Sequence, residues 1–188
     1  MVVVLLDVTA DYKVGAVLKE HTSFVVHIDW SQDSKHLQST SGGYELLFHD
    51  IDTDNLANSK HNRSVQLLFS TCRQATALRD VVWSSQTCVF GWPVQGIFAP
   101  GQDGTDVNSC DSDRSRIFIV SGDDYGNVNL YRYPALEGAK FKAYEAHSSH
   151  VVTVRFTADG AGVVTTGGGD KAVMQWRLRR VTGEELSF

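Results

Sequence analysis

The sequence predicts an all-β protein built from repeats of one four-stranded antiparallel unit, and three observations carry that expectation. Two stretches superimpose without a gap: HTSFVVHIDWSQDSKHLQSTSGG from His21 and HSSHVVTVRFTADGAGVVTTGGG from His147. A third, RIFIVSGDDYGNVNLYRYP from Arg116, matches the later half of the same unit. No window holds a sustained helical period with caps at both ends.

Each element follows from its residues. MVVVLLDV reads as the closing strand of one unit, followed by an outer strand near VGAVL. In both long copies a His and a short hydroxyl residue lead into an alternating strand that ends in an aromatic, Trp30 or Phe156. A Ser/Thr-x-Asp turn follows, then an apolar run into Ser/Thr and glycines. The runs ELLF, NVNLY and AVMQW are short, β-rich and introduced by glycine-containing turns.

Aligned on that last strand, Ser39 stands ten residues before His49, Ser121 ten before Tyr131 and Thr166 ten before Trp176. The interval from Ser121 to Thr166, roughly 45 residues, fits a β-propeller blade. The interval from Ser39 to Ser121 is nearly twice that, which predicts a polar insertion near 52–64, in DTDNLANSKHNRS. The expected architecture is therefore a partial β-propeller of about three to four four-stranded blades, the ring not closed within this chain. Blade pieces fall near 1–20, 21–75, 80–143 and 144–178, with 179–188 as a tail. Open strand edges are expected at both ends.

Composition narrows the function. A charge of -5 with no basic block gives no footprint for nucleic acid or an anionic membrane. The apolar start stops at Asp7, too short to span a bilayer or to form a signal-peptide core. Cys72, Cys88 and Cys110 form no C-x-x-C pair, which predicts reduced thiols rather than a disulfide framework or a zinc site.

Near the C-terminus, TTGGGDKAVMQW places a hydroxyl, glycines, a carboxylate and an indole within twelve residues. In a WD repeat a His, a Ser/Thr, an Asp and a Trp form one hydrogen-bonded set, expected here as His147, Thr166, Asp170 and Trp176. The Asp accepts from the imidazole, the imidazole meets the hydroxyl, and the hydroxyl accepts the indole N–H. Each half-buried polar group costs about 1–3 kcal/mol if unsatisfied, which is the reason for the set. The same residue types could form a hydrolase triad, but a nucleophile needs exposure and an oxyanion hole. The structural reading is preferred, with no catalytic residue assigned.

The other candidates have plainer readings. Asp103, Asp106, Asp111 and Asp113 in GQDGTDVNSCDSD break the frame of a calcium loop and read as a solvated connection between strands. GDDYG reads as a hairpin tip. Phe24, Phe48, Phe69, Phe90 and Phe98 read as packing, and His27 and His36 as strand and turn residues. No metal or cofactor is expected, because phosphate-loop and dinucleotide fingerprints are absent.

The run RDVVWSSQTCVFGWPVQGIFAPGQDGTDVNS, then SGDDYGNVNLYRYP and GAKFKAYEAHSSHVVTVRFTADG, resembles the echinoderm microtubule-associated protein-like family. HTSFVVHIDWSQDSKHLQSTSGGYELLFHD resembles the preceding blade of that family, and the likeness covers about 1–178. It implies the C-terminal part of the second, atypical propeller of a cytoplasmic, cytoskeleton-associated scaffold. Tubulin or microtubules, and the missing blades of a longer chain, are the implied partners; no contact residues carry over. An adaptor for another protein, without tubulin affinity, is the alternative. Two departures stand out: His49 occupies the place of a blade-closing aromatic, and Ala146 replaces the usual Gly before His147.

Overall fold

The computed structural model describes residues 1–51, 78–99 and 101–179, in two compact units, Met1–Ser84 and Ser85–Phe188. The expected insertion at 52–64, Phe69, Cys72 and nearly all of the tail lie outside the described residues. Those described form four antiparallel sheets of two to four strands and no α-helix.

In the first unit, β1 (Val3–Asp7) and β2 (Lys13–Leu18) form a hairpin. Asp7 turns the chain between them by accepting the amides of Thr9 and Ala10. The second sheet runs β3 (Val25–Trp30), β4 (His36–Ser41), β5 (Leu46–Asp50). Its first turn is tied by Asp33, which accepts from the Ser31 hydroxyl and the Lys35 amide. Apolar alternation puts Leu37 at 0% exposure against Val3, Leu18 and Ile51. Phe48 stacks on Trp83, ring centroids 5.9 Å apart, with Leu78 beside them. The backbone of Val82–Ser84 is pinned to the end of β3 by Gln32 N–H to Val82 O and Ser84 N–H to Trp30 O. One expectation fails here: Phe24 is not packing but lies on the surface.

The second unit opens with a 3-10 helix, Trp92–Ile97, started by Pro93 in its first turn. A four-stranded sheet follows: β6 (Val107–Ser112), β7 (Phe118–Asp123), β8 (Asn127–Arg132), β9 (Phe141–Glu145). The helix plugs one side of this sheet, where Val94, Ile97, Ile119 and Tyr131 are fully buried. Burying each such side chain contributes about 1.5–3 kcal/mol. Gly96 is required at the plug, because a Cβ there would collide with the Leu136 carbonyl. The last sheet holds β10 (Val151–Phe156), β11 (Gly162–Gly167) and β12 (Val173–Arg177).

β10 packs on β6 through polar stitches as well as valines. Asn108 Nδ2 donates to Val151 O, Ser109 Oγ accepts the Val154 amide, and Asp111 accepts the Phe156 amide at 2.7 Å.

The blade placed at 80–143 begins its strands only at Val107, because the Gly- and Pro-broken residues before it fold as the plug. The division at 143–144 falls inside β9, whose outer strand runs to Glu145. The acidic stretch 101–113 is a loop only in its first part; from Val107 it is strand β6, with Cys110 at 0% exposure.

The repeat is visible in the ladders. The pairings β3–β4, β6–β7 and β10–β11 each shift register by one residue at the same place, after Val25, Val107 and Val151. The residue before each of those valines accepts a turn amide: Phe24 O from Gly42, Asp106 O from Asp124, His150 O from Gly168, at 2.8, 2.9 and 2.9 Å.

Candidate functional site

The WD-type set is assembled in the last sheet, with one substitution. Asp170 Oδ2 lies 2.8 Å from His147 Nδ1, and His147 Nε2 lies 2.9 Å from Thr165 Oγ1. Trp176 Nε1 donates to that same oxygen at 3.0 Å. The hydroxyl belongs to Thr165, not to Thr166 as expected. The reason is hairpin length: six residues separate the pair Thr166–Val173, whereas five separate Thr40–Leu46 and Gly122–Val128. Counting ten back from Trp176 therefore lands one residue late. Thr166 instead pairs with Thr153 and Val173 on the strand's other face.

Asp170 also accepts the amides of Ser148 and Ala172. The Ala172 amide, then the His147 contact, hold its carboxyl below the usual range against the opposing effect of burial. Gly167 makes room for the tie, since a Cβ there would run into Asp170 Oδ1 and His147 Nδ1. Thr165 is 0% exposed and its oxygen already meets an imidazole and an indole N–H. No acyl carbon can reach it, so the geometry is that of a corner tie.

The second sheet carries the same tie with different ends. His21 Nε2 lies 2.7 Å from Ser39 Oγ, and Ser39 Oγ lies 3.3 Å from His49 Nε2. Glu45 fills the place of the aspartate, 3.0 Å from His21 Nδ1, and accepts from Thr22 and Ser41 hydroxyls as well. Those two hydroxyls, then His21, bring its carboxyl down to about 2. Sequence reasoning missed Glu45. The available signal was a carboxylate at the end of the turn, just before β5.

The four-stranded sheet has no such tie, because Asp103 stands four residues before Val107 where the others have His21 and His147. Tyr131 closes it instead, donating from its phenol to Ile97 O at 3.0 Å, and burial pushes that phenol up to about 12. Asp123 holds the GDDYG turn by accepting the Tyr125 and Asn127 amides and both Asn127 and Asn129 side chains.

Each unit exposes aromatic side chains at its own hairpin ends. Phe24 and Tyr44 are each 58% exposed in the first unit, and Tyr125 is 65% exposed in the second. Tyr125 approaches Asp106, whose charge, with those of Asp124 and Asp103, raises its phenol. Asp103 and Asp106 cap their own turn, and Asp113 accepts the Ile117 and Phe118 amides. Among the described residues no group of three or more His, Cys, Asp or Glu could hold a metal. Cys88 and Cys110 are buried, and no described helix is long and apolar enough to cross a membrane.

Comparison with known proteins gives these ties a family. The solved β-propeller domain of Myceliophteria thermophila Cps50 (Swd1) superimposes with a TM-score of 0.58 at 15% identity, covering 98% of this chain and 61% of that one. The 77 kDa echinoderm microtubule-associated protein of Strongylocentrotus purpuratus is 43% identical over 162 residues, which is 84% of this chain and 21% of that protein. Echinoderm microtubule-associated protein-like 4 of Mus musculus is 39% identical over 159 residues, 84% of this chain and 15% of that protein. The ciliary WD repeat-containing protein ctxp80 of Euplotoides octocarinatus is 38% identical over 171 residues, 91% of this chain and 22% of that protein. The chain thus spans about a fifth of the length of these relatives. The family model for the echinoderm microtubule-associated protein second β-propeller matches residues 1–178, and the chain belongs to that family of WD-repeat propellers.

Proposed function

We propose that this chain is part of a non-enzymatic, cytoskeleton-associated scaffold of the cytoplasm that binds tubulin or microtubules through its propeller loops and face. The observation that carries the reading is 43% identity to a protein named for microtubule association. In this reading the buried polar residues hold corners, and recognition falls to hairpin ends. Exposed Phe24, Tyr44 and Tyr125 are the side-chain types that anchor protein interfaces of about 1,600 Å². The missing blades come from the rest of a longer chain, and no cofactor is needed.

A net charge of -5 does not steer the chain onto an acidic polymer, so binding rests on shape and aromatic contact, with weak salt dependence. The carboxylates beside Tyr125 favour one second reading: an adaptor for another protein or peptide, without tubulin affinity. Co-sedimentation with microtubules, run beside a soluble-tubulin pull-down, tests both. Depletion of the chain in either assay supports the scaffold. Failure in both, with a full-length relative binding in parallel, supports the adaptor.

A further inference from the structure

The two ties close on different rings, an indole in the last sheet and an imidazole in the second. In the last sheet the series reads carboxylate of Asp170, imidazole of His147, hydroxyl of Thr165, indole of Trp176. A carboxylate only accepts, so His147 Nδ1 carries the proton, and in the neutral ring Nε2 accepts from the threonine O–H. The threonine oxygen then accepts the indole N–H. The second sheet repeats the series as Glu45, His21, Ser39 and His49. The same logic requires Nε2 of His49 to donate, as the indole does. Its Nδ1 is left as a lone pair, and that atom is buried with no partner. Reversing the series would place an unsatisfied N–H at the same buried point, which costs more than an unsatisfied lone pair.

We propose that His49 is a neutral stand-in for the blade-closing indole, held as its Nε2–H tautomer, and that it makes this one sheet acid-labile. A second proton can go only to Nδ1, where it creates both a cation and an orphaned donor in a site 1% exposed. The relief is opening of β5 away from β4. The charged groups around His49 do not reverse this. Glu20 and His21 approach from the β2–β3 connection, Glu45 is engaged by His21 Nδ1 at 3.0 Å, and Asp50, next on the strand, is engaged by His36 Nδ1 of β4 at 2.9 Å. Burial, the largest influence, lowers the proton affinity of His49, and Glu20 and Asp50 oppose it. Its pKa thus lies below its unfolded value, so the sheet is fully stable above pH 6.5 and weakens as pH falls. Glu45, with its carboxyl at about 2, remains charged through that range.

Long-range proton–nitrogen NMR of the full chain reads the tautomer directly; a protonated Nε2 and bare Nδ1 at His49 are expected. Amide exchange, corrected for its intrinsic pH dependence, should show protection in β4 and β5 falling severalfold between about pH 7.5 and about pH 5.5, while β11 and β12 hold. H49W and H49Q, which keep a donor and lose the titration, should both flatten that fall. A proton on Nδ1 of His49 in the wild-type chain overturns the proposal even if neither variant folds. So does an equal loss of protection in β11 and β12, or an unchanged fall in the variants.

Discussion

Replacing Thr165 with valine separates the tie from its neighbourhood with almost no change of volume. The hydroxyl is fully buried and serves two partners, His147 Nε2 at 2.9 Å and Trp176 Nε1 at 3.0 Å. Its loss strands an imidazole acceptor and an indole donor. Each stranded buried group costs about 1–3 kcal/mol, so T165V should destabilise the unit by about 2–5 kcal/mol after partial relaxation. T166V is the internal control, one residue along the same strand and outside the tie; it should stay within about 0.5 kcal/mol. Urea unfolding followed by tryptophan fluorescence measures both. A T165V/W176F double-mutant cycle should return a coupling of about 0.5–3 kcal/mol, since the two residues share one bond. Equal costs for T165V and T166V, or a neutral T165V, would refute the corner-tie reasoning.

Other outcomes follow from the same geometry. G167A should lower the melting temperature sharply, because the added methyl meets Asp170 and His147, whereas G101A meets no neighbour and bears only the strain of φ +90°. Y131F removes a buried phenol bond to Ile97 O and should cost about 1 kcal/mol in urea unfolding. Spectrophotometric titration should show one tyrosine in the folded chain resisting ionisation to about pH 12, and Y131F should abolish it. Glu45 has a folded carboxyl well below 4.5, so its stabilisation is present above 4.5 and is lost as pH falls toward about 2. E45Q should remove that part of the acid dependence in a melting series and leave the dependence above pH 5 intact.

Much of this was legible in the sequence, and the failures are local. Strand order and the repeat follow from spacing, because a pleated ladder with a fixed bulge imposes a fixed count, and the likeness to a WD repeat implies His147, Asp170 and Trp176 as one set. Thr165 was missed by one because a hairpin loop gained a residue, and alignment on the far strand hides such a gain. Glu45 was missed because a longer carboxylate, one place from the expected aspartate, reaches the same imidazole. The plug at Trp92–Ile97 was placed inside the blade piece near 80–143 without an element of its own, because its residues are β-rich and only the Gly and Pro breaks set it apart. Phe24 was read as core from its type, yet its ring lies over Gly42, where no side chain competes for the space.

These misses share a cause that bears on function. Backbone features recur in all three longer sheets: the bulge after Val25, Val107 and Val151, and the amide received by the residue before it. Side chains at the same stations do not recur. The residue before the bulge is Phe24, Asp106 or His150, and the closing residue is His49, Tyr131 or Trp176. A frame fixed by main-chain bonds tolerates this freedom, because each sheet need only satisfy its own buried polar atoms. The hairpin ends then vary at little cost to folding, which is the condition for a repeated scaffold to present distinct chemistry at each sheet. If binding lies there, F24A and Y125A should weaken capture of a partner while leaving the urea midpoint in place. The closing residues should do the reverse, moving stability and leaving affinity per folded molecule unchanged.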